Sequence, residues 1–374
     1  MRFIATGDWQ LGMSAHFLDA DVRPRYQQAR FDAVRRIGEL ATKLDATFVV
    51  VCGDVFESNQ LDRTVVARAF EAMRSFAVPA VLLPGNHDPL DAASIYDSAV
   101  FTDRVPNQVR VLRDAMPLEV LPNVEIVGAP WFSKRPLTDL VGVACATLEP
   151  TPKGVIRIIV GHGAVSSLNP DREAVAEIVE TDLRKVLDDG RAQIAVLGDR
   201  HSTCEVDPRI WYPGTPEVTA RREIDPGNVL VVDIDPETGA VSVETVHVGG
   251  WVFLTVEDQL NSLEEVEAFE TRLAAIPDKD CTAVWLALSG TLSTSAKVRL
   301  DLVLEEASDL FARLDHWERF TDLAVLPDGH DFDDLGLSGF AEAALDDLVD
   351  RSRTGDRVAE DALGLLYRFV VTSR

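Results

Sequence analysis

Residues 79–89 read PAVLLPGNHDP, an apolar run that ends in asparagine, histidine and aspartate. The residues 79–83 are typical of a buried strand, and Pro84 with Gly85 ends that strand and begins a loop. Asn86 offers an amide oxygen, which can bind a metal ion. His87 offers an imidazole, which can bind either a metal ion or a proton. The stretch therefore predicts a strand whose carboxyl end delivers reactive side chains to a site.

Four other segments repeat this arrangement along the chain. They are GDWQ (7–10), GDV (53–55), GHG (161–163) and GDRH (198–201), and each begins where a predicted strand ends. Ligands of open α/β sheets gather at the carboxyl ends of the strands. A single Gly-Asp pair is common in turns, but five such segments, each after a strand, predict one shared site.

Strands and amphipathic helices alternate through the first 250 residues, which predicts an α/β core. The other predicted strands are 3–5, 47–52, 124–129, 156–160, 194–197, 229–234 and 241–248, and the predicted helices are 25–44 and about 63–76. Phe31, Val34 and Ile37 lie on one apolar stripe of the first helix. Either Asn59 or Asp62 could cap the second helix.

The pattern changes at Gly249 and Gly250, where we predict that a second module begins. A strand 251–256, a helix 263–275, a strand 283–289 and a helix of about 295–307 make a β-α-β-α unit. The turn-rich segment LPDGHDFDD (326–334) predicts a linker, and 338–349 and 356–371 predict two terminal helices. The predicted domains are therefore 1–250, 251–325 and 335–374. The terminal helix pair either packs on its own domain, the simpler interpretation, or docks a partner.

The composition limits the class of protein. Cys52, Cys145, Cys204 and Cys281 lie far apart with no CxxC pair, which argues against a zinc finger or a disulfide framework and indicates a reducing cytoplasm. No apolar run approaches the roughly 18 residues that span a bilayer. We therefore expect a cytoplasmic protein with neither a signal peptide nor a membrane anchor.

The net charge of −26 is concentrated in the last third of the chain. Such a charge excludes non-specific binding of nucleic acid by bulk attraction, because phosphate binding needs clustered lysine and arginine. A DNA substrate would require local basic patches, metal ions or a partner. The acidity is equally consistent with a salt-adapted or generally acidic proteome.

The residue types predict a two-metal phosphoesterase. The carboxylate of Asp54 can bridge two cations and fix both around a phosphate, with Asp8 as a terminal ligand. Asn86, His162 and His201 add amide oxygen and imidazole nitrogen, a mixture that favours manganese, iron or zinc over magnesium alone. Two such cations lower the pKa of a bound water, so that hydroxide is accessible near neutral pH.

The quoted motifs, extended to GDWQLGM (7–13), GDVFESN (53–59), LPGNHDP (83–89), GHGAV (161–165), GDRHS (198–202) and YPGTPE (212–217), resemble those of the calcineurin-like metallophosphoesterases. More narrowly they are similar to SbcD nuclease subunits, the bacterial relatives of Mre-eleven-type repair nucleases. The resemblance covers about residues 1–250. It implies a four-layer α/β fold of two β-sheets flanked by helices, with a small α/β capping domain and C-terminal partner-binding helices.

The resemblance also implies an activity and a set of ligands. Family members are manganese-dependent 3′ to 5′ exonucleases and endonucleases that cut DNA together with an SMC-like ATPase (SbcC-type), and whether two copies of this chain form a homodimer stays open. The first metal ion is assigned to Asp8, Gln10, Asp54 and His201, and the second to Asp54, Asn86, His162 and Asp199. His87 is assigned to stabilise or protonate the leaving oxygen.

Three positions depart from the family pattern. Gln10 and Asp199 stand where histidines are usual, and Glu57 stands where repair nucleases commonly place a further histidine near the phosphate. An amide oxygen is the poorer ligand for these metals, so we expect weaker binding at the Gln10 site. Asp8, Asp54 and Asp199 would together set three negative charges against two dications.

Three hypotheses remain at this level: a DNA nuclease subunit, a phosphatase or phosphodiesterase acting on small molecules, and a nuclease-like scaffold with an impaired metal site. The first is favoured by the cap-like region and the terminal helices. The second stays open because a metal core alone does not specify DNA. The third is motivated by Gln10 and Asp199.

Overall fold

The computed structural model describes residues 1–169, 176–326, 337–354, 356, 358–359 and 362–366. The chain forms two compact units, Met1–Trp251 and Val252–Arg374. Each unit has hydrophobic clusters of its own.

The first unit alternates strands with helices. Its strands are β1 (Arg2–Thr6), β2 (Val49–Val51), β3 (Ala80–Leu82), β4 (Val109–Val111), β5 (Leu118–Leu121), β6 (Val124–Gly128), β7 (Ile156–His162), β8 (Ile194–Gly198), β9 (Cys204–Asp207), β10 (Ile210–Tyr212), β11 (Asn228–Ile234) and β12 (Val241–His247). Its helices are α1 (Arg23–Lys43), α2 (Arg63–Met73), α3 (Ala99–Thr102), α4 (Leu140–Cys145) and α5 (Glu180–Asp188).

The first sheet has the order β12-β11-β1-β2-β3-β4. Strands β1 to β4 run parallel, whereas β11 pairs antiparallel with both β1 and β12. Helices α1 and α2 cover its outer face, where Phe31, Val34 and Ile37 pack with Val66 and Phe70 in one buried cluster. The apolar stripe of α1 thus faces the sheet, as its 3.6-residue period predicts.

The second sheet has the order β5-β6-β7-β8-β10-β9. Strands β6, β7, β8 and β10 are parallel, and β5 and β9 pair antiparallel at the two edges. Helices α4 and α5 cover the outer face, where Val141 and Leu183 pack with Ile159 and Leu197.

The inner faces of the two sheets share one core. Phe3, Val50 and Val81 of the first sheet pack with Ile158 and Val196 of the second, and all five are 0% exposed. Strands buried on both faces read as continuous apolar runs, which explains sequences such as FVVVC and IRIIV. The unit is therefore a helix-sheet-sheet-helix stack, and the predicted α/β fold of two sheets flanked by helices is confirmed.

Helix α2 shows how a local signal sets an element's start. Asp62 has extended backbone and its carboxylate accepts a hydrogen bond from the backbone N–H of Thr64, so Asp62 is the cap. Asn59, the other candidate, instead donates to the carbonyl of Pro89 and accepts from the N–H of Ile95. It ties the loop after β2 to the loop after β3.

The second unit contains a parallel sheet. Its elements are β13 (Val252–Leu260), α6 (Leu263–Ala275), β14 (Thr282–Ser293), α7 (Thr294–Ser308), β15 (Arg313–His316), β16 (Asp322–Leu326) and α8 (Phe340–Arg353). Strand β14 pairs in parallel with β13, β15 and β16, and the apolar faces of α6 and α7 pack on the sheet through Phe269 and Leu300. The predicted β-α-β-α unit is present, and β15 and β16 extend it.

The C-terminal region is helical where it is described. Helix α8 begins two residues later and ends four residues later than predicted, and Val358, Ala359 and residues 362–366 are also helical. Leu345 of α8 and Leu363 are buried together in one small hydrophobic cluster. The rest of the predicted helix 356–371, and the predicted linker beyond Leu326, lie outside the described residues.

Within the described part of the chain, every helix is too short or too polar to cross a membrane.

Candidate metal centre

Five loops that follow strand ends meet in the first unit, and backbone hydrogen bonds hold them in register. The N–H of Asp8 donates to the carbonyl of Gly53 (3.0 Å), and that of Gln10 donates to the carbonyl of Asp54 (2.8 Å). The N–H of Asp199 donates to Oδ1 of Asp8 (3.0 Å). The loops after β1, β2 and β8 are therefore locked together before any ion is considered.

The predicted ligands carry unusual backbone conformations. Asp8, Gln10, Asp54 and Asp199 all have positive φ, at 53°, 42°, 52° and 86°. Such angles are uncommon for residues with a Cβ and concentrate at functional sites, where the surrounding structure compensates their cost. Because the cross-loop hydrogen bonds fix these turns, the backbone determines the direction in which these four side chains point.

Two glycines allow the close approach on which the site depends. A Cβ on Gly198 would lie 1.8 Å from the carbonyl oxygen of Cys52, and one on Gly53 would lie 2.1 Å from Nδ1 of His162. Gly53 also has a φ of +96°. Only glycine fits at these positions, which explains the Gly that precedes Asp54 and Asp199 in the motifs.

Three predicted ligands converge on a nitrogen of a fourth, and we refer to Asp54, Asn86, His162 and Asp199 as the His162 group. Nε2 of His162 lies 2.7 Å from Oδ1 of Asn86, 3.5 Å from Oδ1 of Asp54 and 3.8 Å from Oδ1 of Asp199. Nδ1 of the same ring donates to the carbonyl of Cys52 (2.9 Å), which leaves the Nε2 lone pair directed at the three oxygens.

When the imidazole is neutral and Nδ1 carries its hydrogen, these atoms are all acceptors. In the orientation of the structure the Asn86 oxygen faces only acceptors, and a rotated amide would instead donate to Asp54 and His162. Converging lone pairs repel one another unless a cation lies among them. The arrangement of the His162 group therefore fits a divalent cation.

A second set lies beside it, and we refer to Asp8, Gln10, Asp54 and His201 as the His201 group. Ligand atoms of Asp8, Asp54 and His162 all lie within 4.8 Å of one another, so Asp8 of this group and His162 of the first group both lie close to the shared Asp54, at a spacing that could hold a metal ion. Nε2 of His201 lies 3.2 Å from the amide nitrogen of Gln10. Gln10 thus presents its NH2 to the imidazole, and its oxygen would have to rotate inward to act as a ligand.

A carboxylate that lies outside the five motifs orients His201. Nδ1 of His201 lies 2.9 Å from Oε1 of Glu223 and 2.7 Å from Oγ1 of Thr219. The acidic partner places the hydrogen on Nδ1 and leaves Nε2 free to bind a cation, as carboxylates behind metal-binding histidines do. Glu223 is itself held by the backbone N–H of Thr219 (2.9 Å).

Burial and charge give an independent test of whether a cation fits. Burial raises the pKa of Asp8 to about 6, even though His201 and His162 act in the opposite direction. Burial by itself lowers the pKa of His162, but the carboxylates of Asp54, Asp199 and Asp8 outweigh it and raise the value to about 9. Oδ2 of Asp8 is buried without a hydrogen-bond partner among the described residues. The site has excess negative charge that positive charge would neutralise.

His87 is placed at the edge of the same cluster. Its side chain is 35% exposed, and its Nε2 lies 4.0 Å from Oδ2 of Asp54. Nδ1 donates to the carbonyl of Glu57 (2.9 Å), and the Glu57 carboxylate lies 3.7 Å from the same nitrogen. His87 therefore lies beside Asp54, at a position suited to a general acid for a leaving oxygen.

Several residues that the sequence reasoning missed build the frame. Asp88 is fully buried and accepts from Gly85 N, Phe56 N and the Tyr96 hydroxyl, so it shapes the loop of Asn86 and His87. Thr215 donates its hydroxyl to the carbonyl of Asp8 (2.9 Å). Only Asp88 and Thr215 lie inside quoted motifs; Glu223 and Trp131, which donates to the carbonyl of His162, carry no local signal.

The structure thus brings together all eight residues that the sequence predicts for the site, and their roles as ligands and proton donor stay predictions. Divalent cations bound here would polarise a phosphoryl oxygen and make hydroxide accessible near neutral pH. The chain's own contribution is to hold the tautomers of His162 and His201 and to fix the carboxylates through their backbone turns.

The chain was compared with protein families, with curated proteins and with solved structures. A family model described as calcineurin-like phosphoesterase matches residues 1–222. No curated protein matches the chain. Among solved structures, TT1561 of Thermus thermophilus is 12% identical, with a TM-score of 0.40 over 66% of this chain and 98% of that chain. The purple acid phosphatase PPD1 of yellow lupin is 14% identical, with a TM-score of 0.37 over 66% of this chain and 53% of that chain.

The family match covers more than half of the chain and includes every residue placed in the metal centre, from Asp8 to His201. This chain therefore belongs to the calcineurin-like phosphoesterase family, whose members hydrolyse phosphoesters with a pair of metal ions.

Proposed function

We propose that this protein is a metal-dependent DNA nuclease, an exonuclease and endonuclease subunit that acts with an SMC-like ATPase in double-strand-break repair. The observation that carries the proposal is the position of the segment YPGTPE (212–217), which belongs to the resemblance with SbcD-type nucleases. Thr215 of this segment bonds the carbonyl of Asp8, and its N–H bonds the carbonyl of His201 (3.0 Å). The nuclease-like segment is thus part of the frame of the metal centre.

In the proposed reaction the two residue groups hold two cations, manganese first among the candidates, with iron or zinc as alternatives. Asp54 belongs to both groups and would be the ligand that the two ions share. Hydroxide attacks the phosphorus of a DNA phosphodiester in line, and His87 protonates the departing oxygen from Nε2.

The second unit would supply the cap and the partner site. Support comes from the apolar side chains that its C-terminal helices leave exposed: Phe340 is 90% exposed, Val358 71% and Leu365 49%. Exposed apolar side chains on adjoining helical segments are suited to burial against a partner helix. We propose an SMC-like ATPase subunit as that partner.

Cleavage of linear duplex DNA in the presence of Mn²⁺ tests the proposal. Wild type should cut, Asp54→Ala should not, and Asp309→Asn, an exposed carboxylate of the second unit, should cut as wild type does. If wild type hydrolyses a small chromogenic diester but leaves DNA intact, the protein is a small-molecule phosphodiesterase. Failure on both substrates would instead support an impaired, scaffold-like site.

Removing residues from 338 onward tests the partner site. The truncated protein should retain hydrolysis of the chromogenic diester, because the metal centre lies wholly in the first unit, and should lose co-purification with the proposed SMC-like ATPase subunit. Co-purification at the wild-type level would show that the helices are not the docking element.

A further inference from the structure

The segment 132–137 (FSKRPL) directly follows a residue that contacts the metal centre. Trp131, which precedes it, donates its indole N–H to the carbonyl of His162 (2.8 Å), and its ring meets the His162 ring at 5.6 Å, edge to face. The backbone of Trp131 also donates to Pro84 (3.1 Å) and accepts from Leu90 (2.8 Å). These contacts fix the start of the segment against His162 and against the loop of Asn86 and His87.

The other end of the segment is equally fixed. The carboxylate of Asp139 accepts from the N–H of Gly142 (2.8 Å), which caps α4, and from the N–H of Val179 (3.0 Å), just before α5. A short loop held at both ends keeps its shape, so it loses little conformational entropy when it binds.

Between these anchors the side chains are exposed. Phe132 is 53% exposed, and Lys134 and Arg135 are both on the surface. Neither cation has an ion pair or hydrogen bond with any residue that the structure describes. In a chain of net charge −26, two adjacent cations that pair with no acidic residue of the described ranges form a local attraction for anions.

Exposure of one aromatic residue has little meaning by itself, because single exposed apolar side chains are common. Phe340 is more exposed, at 90%, and lies in the second unit. What sets Phe132 apart is its position: it directly follows Trp131, whose indole contacts His162. An aromatic face and two cations beside a phosphodiester-cleaving centre match the combination that binds single-stranded nucleic acid.

We propose that residues 132–135 bind an unpaired nucleotide of single-stranded DNA next to the bond that is cut. The ring of Phe132 stacks on the base, and Lys134 and Arg135 bind the neighbouring phosphates. This inference rests on the proposed nuclease function and extends it: the site acts on frayed or single-stranded ends, where a base is free to stack.

A binding experiment separates the base contact from the phosphate contact. The full-length protein is titrated in EDTA, where no cleavage occurs, against a fluorescein-labelled thymidine oligomer of about 12 nucleotides and against an abasic oligomer of equal length. Wild type should bind the base-bearing oligomer roughly five- to tenfold more tightly, as expected for one stacked base. Phe132→Ala should lose that preference and Phe132→Trp should restore it.

The double variant Lys134→Gln, Arg135→Gln should bind both oligomers more weakly by the same factor, and its binding should depend less on salt. Phe340→Ala is the matched control and should keep the wild-type preference. The proposal is overturned if wild type binds neither oligomer, if it shows no preference for bases, or if Phe132→Ala keeps the preference. DNA cleavage by a wild type without that preference would leave the nuclease function intact and remove only the role of Phe132.

Discussion

The two halves of the metal centre differ in the atoms that face the free nitrogen of their histidine. The His162 side chain is 0% exposed, and three oxygens from Asp54, Asn86 and Asp199 face its free nitrogen. The His201 side chain is 25% exposed, and its free nitrogen faces the amide NH2 of Gln10. The first group offers only acceptors to a cation, whereas the second includes a donor in an inner position.

This difference indicates unequal affinity for the two ions. A group that offers only acceptors gains most from a cation, because the cation removes their mutual repulsion. The His201 group must first rotate an amide, and its imidazole is the more exposed of the two. We therefore expect the His162 group to fill first in a titration and the His201 group to limit activity at low metal concentration.

Removing each histidine in turn is the most direct test of whether the two groups bind metal ions with different affinity. His162→Ala should abolish the tighter binding step and reduce phosphodiester hydrolysis by on the order of 100-fold or more, since losing an inner ligand should exceed the effect of losing an outer partner. His201→Ala should remove only the weaker step. Calorimetric titration with Mn²⁺ measures both steps.

Circular dichroism and the unfolding midpoint in EDTA serve as controls, because the His162 ring also bonds the Cys52 carbonyl and its loss costs packing. Equal loss of both binding steps in either variant would show that the two groups are not separate in affinity.

The next largest effect is expected at Glu223, which acts only through His201. Glu223→Gln keeps the size of the side chain but weakens the hold on Nδ1 of His201, so the weaker binding step should fall by about tenfold to 100-fold. The tighter step should not change. Glu237→Gln, an exposed carboxylate in the turn after β11, is the matched control. A parallel loss in the tighter step would mean that Glu223 stabilises the whole centre rather than one half.

The sequence identifies the residues that converge on the site far better than those that support them. Gly-Asp and Gly-Asn-His-Asp after apolar runs are local signals, because the strand end and the turn are encoded within a few residues. Glu223 and Trp131 act across 22 and 31 residues of chain, on His201 and His162. No periodicity marks such positions, and only the packed fold brings them to their partners.

The same limit explains the missed elements of the fold. Strands β4 and β10 are three residues long, too short for an alternating pattern to stand out, and α4 is a six-residue apolar run with a glycine inside. Strand β14 was predicted to stop at Ser289, but it continues through Gly290, whose φ is +122°, to Ser293. In the sequence, a glycine indicates the end of a strand. In the structure, pairing with β16 continues β14 beyond Gly290.

The smallest expected effect concerns the two departures from the family pattern, which lie in opposite halves of the centre. Gln10→His replaces an amide by an imidazole and removes the donor that faces His201, so the weaker binding step should tighten by about tenfold, or ~1.4 kcal/mol. Asp199→His exchanges a carboxylate for a neutral ligand in the His162 group, where the lost negative charge offsets the softer nitrogen. Its binding step should therefore change little.

Measuring both variants in one titration sharpens the contrast, because each is the other's control for introducing a histidine. If Gln10→His tightens one step while Asp199→His leaves the other near its wild-type value, Gln10 is the residue that sets the weaker half apart. If Asp199→His tightens its step as much as Gln10→His does, then histidine content alone governs affinity in both halves, and the acceptor geometry of the His162 group contributes little to it.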